Sequence, residues 1–249
     1  MKKRFVLYIA VLVFLINNVR AQNESYLGIT IGAALPPGTY AETNYGEANG
    51  YAGTGFMFAF DGAWFPDDYL GFGATVTYAS NNPDIKQYLE DVKSSLMEDY
   101  PLLGEIIDSN FIFDYGVWKY LNIYIGPTVT VPAGRFNFDF RILAGLQLAW
   151  QPDESINAKY ESGSTFSRKN NSKPVPTIGY CAGVGVRYAF QSGFVLRIMT
   201  DYANSKPTFE TTDITLDSEG LNPEQTTREV TMPIKNFHVG IGIAYNFDI

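Results

Sequence analysis

IKNFHVGIGIAYNFDI, residues 234–249, alternates almost without error. Phe237, Val239, Ile241, Ile243, Tyr245, Phe247 and Ile249 share one parity, and Asn236, His238, Gly240, Gly242, Ala244, Asn246 and Asp248 share the other. A strand points successive side chains to opposite faces, so this segment carries one bulky apolar wall and one small, polar wall.

Working outward, seven more segments repeat the pattern: 26–33, 53–64, 70–78, 121–131, 135–150, 177–190 and 194–202. The clearest is 135–150, where Phe136, Phe138, Phe140, Ile142, Ala144, Leu146, Leu148 and Trp150 oppose Arg135, Asn137, Asp139, Arg141, Leu143, Gly145, Gln147 and Ala149. The 121–131 parity runs on upstream through Phe111, Phe113, Tyr115 and Val117, which predicts a strand rising well beyond its neighbours. Connections alternate in length. Pro66-Asp67-Asp68, Pro132-Ala133-Gly134 and Gln191-Ser192-Gly193 are tight turns. Between them lie long polar loops at 35–52, 79–110, 151–176 and 203–233. Short turns on one rim and long loops on the other are the pattern of transmembrane barrels, with turns periplasmic and loops extracellular. An even strand number also puts both termini on the turn side.

Alternation alone does not say which face points inward. A soluble eight-stranded barrel of the lipocalin kind would line a cavity with the apolar face and present Lys, Glu and Asp to water. Here the opposite face is mostly Gly, Ala, Thr and Asn. That composition suits the crowded interior of a narrow barrel, since roughly eight strands leave room only for side chains. The bulky face is almost free of charge, as expected where a Lys or Arg at a bilayer midplane would cost about 2–4 kcal/mol. Lys119 and Lys235 are exceptions that map to the loop-side rim. Trp64, Tyr69, Tyr188, Phe190, Phe194, Tyr245 and Phe247 gather toward the turns, and Tyr78, Trp150, Tyr202 and Phe237 toward the loops, as two aromatic girdles. The expected class is all-β: an eight-stranded antiparallel up-and-down transmembrane barrel.

The N-terminus reads as an export signal over 1–21. Met1-Lys2-Lys3-Arg4 is its basic start, 5–16 its apolar core and Ala21 its small cleavage residue, leaving 22–249 as one barrel domain. The apolar run is shorter than the roughly 20 residues of a spanning helix. Losing Lys2, Lys3, Arg4 and Arg20 takes the formal charge from −8 to −12, which argues against nucleic acid as a partner. Cys181 is the only cysteine, so no internal disulfide forms, and no cysteine sits at the cleavage point to carry a lipid anchor.

With these residues in view, the chain resembles the small outer-membrane β-barrel-domain family. That family includes the membrane domain of outer-membrane protein A and the adhesion-related protein X type, and the resemblance is nearest to its Bacteroidota form. It rests on the strand pattern, on Gly126-Pro127 and Leu143-Ala144-Gly145-Leu146, and on the Tyr245-Asn246-Phe247 ending. Asp248-Ile249 depart from the family's habit of a terminal Phe. The resemblance implies the outer membrane of a Gram-negative bacterium, lipid as surroundings, and insertion by the barrel-assembly machinery, with Tyr245 and Phe247 as its signal. It implies no shared activity.

Asp61, Asp139, Asp201, Arg135, Arg141, Arg187 and Arg197 share the inward parity, and Asp114 is a candidate to join from above. Buried charges persist best when paired, so these residues read as an ion network plugging the lumen, with a polar conduit as the alternative. His238, the only histidine, also points inward, but no Gly-x-Ser-x-Gly or comparable signature supports catalysis, and no Cys/His cluster supports a metal. No cofactor is expected. In the second loop, Asn82-Pro83 resembles a helix start, and Ile85, Tyr88, Leu89, Val92 and Leu96 follow at helical spacing. This amphipathic helix either folds over the barrel mouth or docks a partner envelope protein. The 208–232 stretch is expected to extend the last hairpin. The reading is a non-enzymatic barrel with a plugged lumen, acting in envelope structure, surface binding or as an accessory subunit. A narrow solute or ion channel and a lipid-modifying enzyme are the alternatives.

Overall fold

The computed structural model describes residues 25–43, 50–99, 106, 111–163, 165–170, 172–216 and 224–247. The export signal over 1–21, Asn44 and Tyr45 of the first loop, and Asp248 and Ile249 lie outside the described residues.

Eight strands close into an antiparallel barrel. They are β1 (Ser25–Leu35), β2 (Ala52–Trp64), β3 (Leu70–Pro83), β5 (Trp118–Ala133), β6 (Phe136–Trp150), β9 (Val175–Ala189), β10 (Phe194–Ser205) and β13 (Ile234–Phe247). The order around the barrel is β1-β13-β10-β9-β6-β5-β3-β2. Closure is the β1–β13 ladder, in unbroken register from Ser25 opposite Phe247 to Leu35 opposite Phe237. Each strand corresponds to one alternating segment. Most run a few residues farther toward the loops than alternation alone marks, because ladder hydrogen bonds continue after the apolar parity fades.

The bulky parity faces outward over the whole barrel. Ile125 and Ile142 are each 65% exposed and Ile178 is 76% exposed, while the small parity is buried. Near the turns, outward aromatics meet edge-on, as Phe136 with Tyr188 and Phe194 with Tyr245. Gly134 and Gly193 take positive φ, 66° and 82°, in the two turns that carry them, which a glycine adopts at no steric cost.

The loops are not irregular. They build a second sheet in the order β12-β11-β8-β7-β4, from β4 (Ile112–Tyr115), β7 (Glu154–Lys159), β8 (Thr165–Asn170), β11 (Thr208–Leu216) and β12 (Glu224–Thr231). Three loops contribute to it, and one helix, α1 (Ile85–Asp99), packs on it. We call this unit the dome. The sequence expectations for the loops are corrected at three points. The upstream parity at Phe111–Val117 is not a rising extension of the barrel strand. Gly116 and Val117 break the chain there, and β4 pairs with β7 while Gly116 N donates to the Asp153 carbonyl at 2.8 Å. The last hairpin does continue upward as β11–β12, but it leaves the barrel sheet. Pro207 and Pro233 flank the junction and bring no N–H to a ladder. Finally, Asn82 and Pro83 do not start the helix. They belong to β3, and Asp84 supplies the cap, its Oδ1 accepting from Gln87 N at 3.2 Å.

Candidate functional site in the barrel lumen

The lumen is filled in layers, and each layer follows from which inward residues the register sets side by side. At the turn end, Tyr26, Ala63, Phe65, Val195 and Ala244 form an apolar floor, and Phe65 N is held by Ser25 Oγ at 3.1 Å.

Directly above lies the charged layer. β10 and β9 pair so that Arg197 faces Arg187, a juxtaposition of like charges that is unfavourable unless each is neutralised. Arg187 is gripped by Asp139 through two bonds, 2.6 and 2.9 Å, and reaches Thr130 Oγ1 at 3.2 Å. Arg197 Nη1 donates to Asp61 Oδ1 at 2.6 Å. Both guanidiniums lie over the Tyr26 ring, at 4.2 and 4.9 Å from its centre, where the ring face attracts cations. Asp61 is the bridge. Its other oxygen accepts from Arg141 Nη1 at 2.8 Å, and Arg141 forks onto Asp201 with bonds of 2.8 and 2.5 Å. Three arginines meet three aspartates, so the buried layer carries no net formal charge. Such pairing offsets the several kcal/mol that burying each ion costs.

Two glycines make this crossing geometrically possible. A Cβ on Gly183 would stand 1.7 Å from Asp201 Oδ1, and one on Gly179 would stand 2.2 Å from Tyr124 Oη. Asp201 therefore lies against bare backbone of the adjoining β9, and Tyr124 reaches past β6 to bare backbone of the same strand.

Above the ions, Tyr124, Leu143, Cys181 and Ala203 form a thin apolar layer. A neutral polar layer follows. Gln147 Nε2 donates to Asn122 Oδ1 at 2.8 Å and Gln147 Oε1 accepts from Ser205 Oγ. Asn236 Nδ2 donates to Asn81 Oδ1 at 3.1 Å, and Asn81 Nδ2 donates to the Ala34 and Gly53 carbonyls. His238 Nε2 meets Tyr120 Oη at 2.8 Å, which gives the lone histidine a neutral partner in a packed wall. At the loop end, Tyr40, Trp118, Phe209, Met232 and Ile234 join one apolar cluster, and Trp118 Nε1 donates to the Gly50 carbonyl at 2.7 Å. Both ends of the lumen are thus capped by apolar side chains.

Of the seven charged residues read as inward, six meet in the lumen. Arg135 does not: it is exposed at the β5–β6 turn, with Nη1 3.3 Å from Tyr188 Oη. The parity is right, but the strand begins only at Phe136, so Arg135 escapes over the rim. Asp114 is likewise exposed in the dome and outside the network. Tyr245 faces outward at 52% exposure, and Phe247 is half-buried at the turn end of β13. Tyr26, the platform under two arginines, and the Asn81–Asn236 pair were not singled out from sequence, although inward parity marks Tyr26 and Asn236.

The dome has a conventional core. Val92 and Leu96 are buried with Ile156, Ala158, Tyr160 and Phe166, and Tyr88 packs against them. Leu89 is half-buried and only Ile85 of the helical stripe is exposed. The stripe is therefore mostly packed against the protein's own loops. Tyr88 Oη donates to Glu154 Oε1 at 2.5 Å, and Tyr51 Oη donates to Asp91 Oδ2 at 2.8 Å. Burial, and then the Glu154 carboxylate, push the Tyr88 and Tyr115 phenols well above their ordinary range. Among the described residues no group of three or more His, Cys, Asp and Glu side chains could hold a metal ion.

No protein-family model and no curated protein matches the chain. Solved structures do. The outer membrane protein OprG from Pseudomonas aeruginosa is 9% identical, with 91% of this chain and 98% of that one covered at a TM-score of 0.46. Neisserial surface protein A is 10% identical, with 91% and 98% covered and a TM-score of 0.44. A major outer membrane protein from Thermus thermophilus is 13% identical, with 91% and 100% covered and a TM-score of 0.42.

Proposed function

We infer that this is a non-enzymatic outer-membrane barrel whose lumen is plugged and whose dome is the part that faces the surroundings. The observation that carries the reading is the neutral Arg–Asp layer held between two apolar caps. An ion crossing the barrel would have to break bidentate, dehydrated pairs and pass both caps. The outward apolar belt with aromatic girdles supports a bilayer setting, with turns on the periplasmic side and the dome outside. Export through the 1–21 signal and insertion by the barrel-assembly machinery, guided by Tyr245 and Phe247, complete the reading. Its work is to stiffen the envelope and present the dome as a binding surface or accessory subunit.

Planar-bilayer recording tests the plug. Purified protein that enters the bilayer without steady unitary currents is the expected result. Stable single-channel steps would replace the plug with a channel, and altered lipid A masses in a deletion strain would replace it with an enzyme.

A further inference from the structure

The outer wall carries a depression that the belt does not need. Phe140, Ile142, Val184, Tyr202 and Phe237 surround the small residues Ala182 and Thr200, leaving a groove of about 560 Å³ lined almost wholly by carbon. In register, Ala182 faces Tyr202 and Tyr202 faces Phe237. One outward step toward the loops, the same three strands bring Tyr180, Asn204 and Lys235 side by side. This upper row is polar. Asn204 Nδ2 donates to Tyr180 Oη at 3.0 Å, while Asn204 Oδ1 has no partner. Lys235 is half-buried and forms no ion pair among the described residues, and its ammonium lies at the rim beside Gly38 of the first loop.

An apolar trough that ends, at the rim, on an unpaired ammonium and a hydroxyl–amide pair has the polarity of a lipid in one leaflet. The geometry points to a binding site for an anionic, phosphate-bearing lipid of the loop-side leaflet. One acyl chain lies over Ala182 and Thr200, and the phosphate lies against Lys235 and the Tyr180 hydroxyl. Charge selects the headgroup, because a cation near a membrane surface attracts acidic lipid. Shape selects the place, because filling a trough restores the dispersion contacts that a void forfeits. The inference rests on the barrel being embedded in a bilayer.

The test uses the whole protein in nanodiscs of equal phosphatidylglycerol and phosphatidylcholine, released into native mass spectrometry. Wild type is expected to retain one phosphatidylglycerol. Lys235→Gln should lower its preference over phosphatidylcholine about fivefold. Ala182→Phe should abolish retention of either lipid, and Thr200→Leu, which fills the trough from the next strand, should weaken it. Ala74→Phe, an outward site on the far wall, should leave retention unchanged. Equal retention of both lipids by wild type, or undiminished retention in both groove variants, overturns the site. Failure of wild type to enter bilayers at all instead overturns the membrane reading beneath it.

Discussion

The lumen and the dome solve burial in opposite ways. In the dome, apolar side chains from α1, β7 and β8 meet in the middle, as in any small domain. In the lumen, ions occupy the middle and apolar residues close the ends. The difference follows from what surrounds each region. The dome must hide carbon from water. The barrel wall hydrogen-bonds its backbone into a closed ladder whatever its contents, so the lumen needs only to be filled and neutral. Lumenal stability should therefore depend on pairing, and dome stability on packed volume.

The sharpest way to break that contrast is at Asp61. Its removal as Asp61→Ala leaves Arg197 without its carboxylate and Arg141 with Asp201 alone. A loss of about 3–5 kcal/mol is expected, read from urea unfolding in lipid, because a buried charge is left uncompensated. A loss under about 1 kcal/mol would mean that water already enters the layer. The dome counterpart is Leu96→Ala, expected to cost roughly 2–5 kcal/mol locally through the cavity it leaves. Limited proteolysis should then cut the loops while the barrel strands stay protected as one folded fragment. If the barrel loosens with it, the two regions are one cooperative unit.

Smaller changes sharpen the comparison. Gly183→Ala places a methyl against the Asp201 carboxylate and should cost about 1–3 kcal/mol by forcing it off Arg141. The same change at exposed Gly134 meets no neighbour but must hold a positive φ, so its cost is backbone strain alone. Asp84→Ala removes the cap of α1 and should lower dome stability by about 1 kcal/mol, visible as faster amide exchange over the helix. The weakest expected effect is alkaline. Tyr88 and Tyr115 hold their protons more tightly folded than unfolded. The unfolded dome thus ionises first, and dome stability should decline as pH rises past about 10. An ultraviolet titration in which all tyrosines ionise together near that pH would contradict the buried geometry.

Much of this was legible in the residues. Alternation at 136–150 and 234–247 marks strands and faces, because side-chain direction in a strand is a local property of the backbone. The misses have equally physical origins. Arg135 carries inward parity, but parity has no meaning one residue beyond the strand. Asn82-Pro83 carries a helix-start pair, but β3 continues through both because the neighbouring β2 pairs with Pro83 at Ala52. The dome strands are short, polar and scattered over three loops, and none has a hydrophobic face long enough to declare itself.

Sequence by itself determined the wall: eight alternating strands, the oily side outward, and a lumenal set holding acids and bases in near balance. Only the tertiary structure decided who meets whom: Asp61 between Arg141 and Arg197, Asp139 on Arg187, Tyr26 beneath two guanidiniums, and three distant loops in one sheet. Alternation depends on the next residue along the chain, whereas partners depend on the register and curvature of strands that closure brings together from far apart.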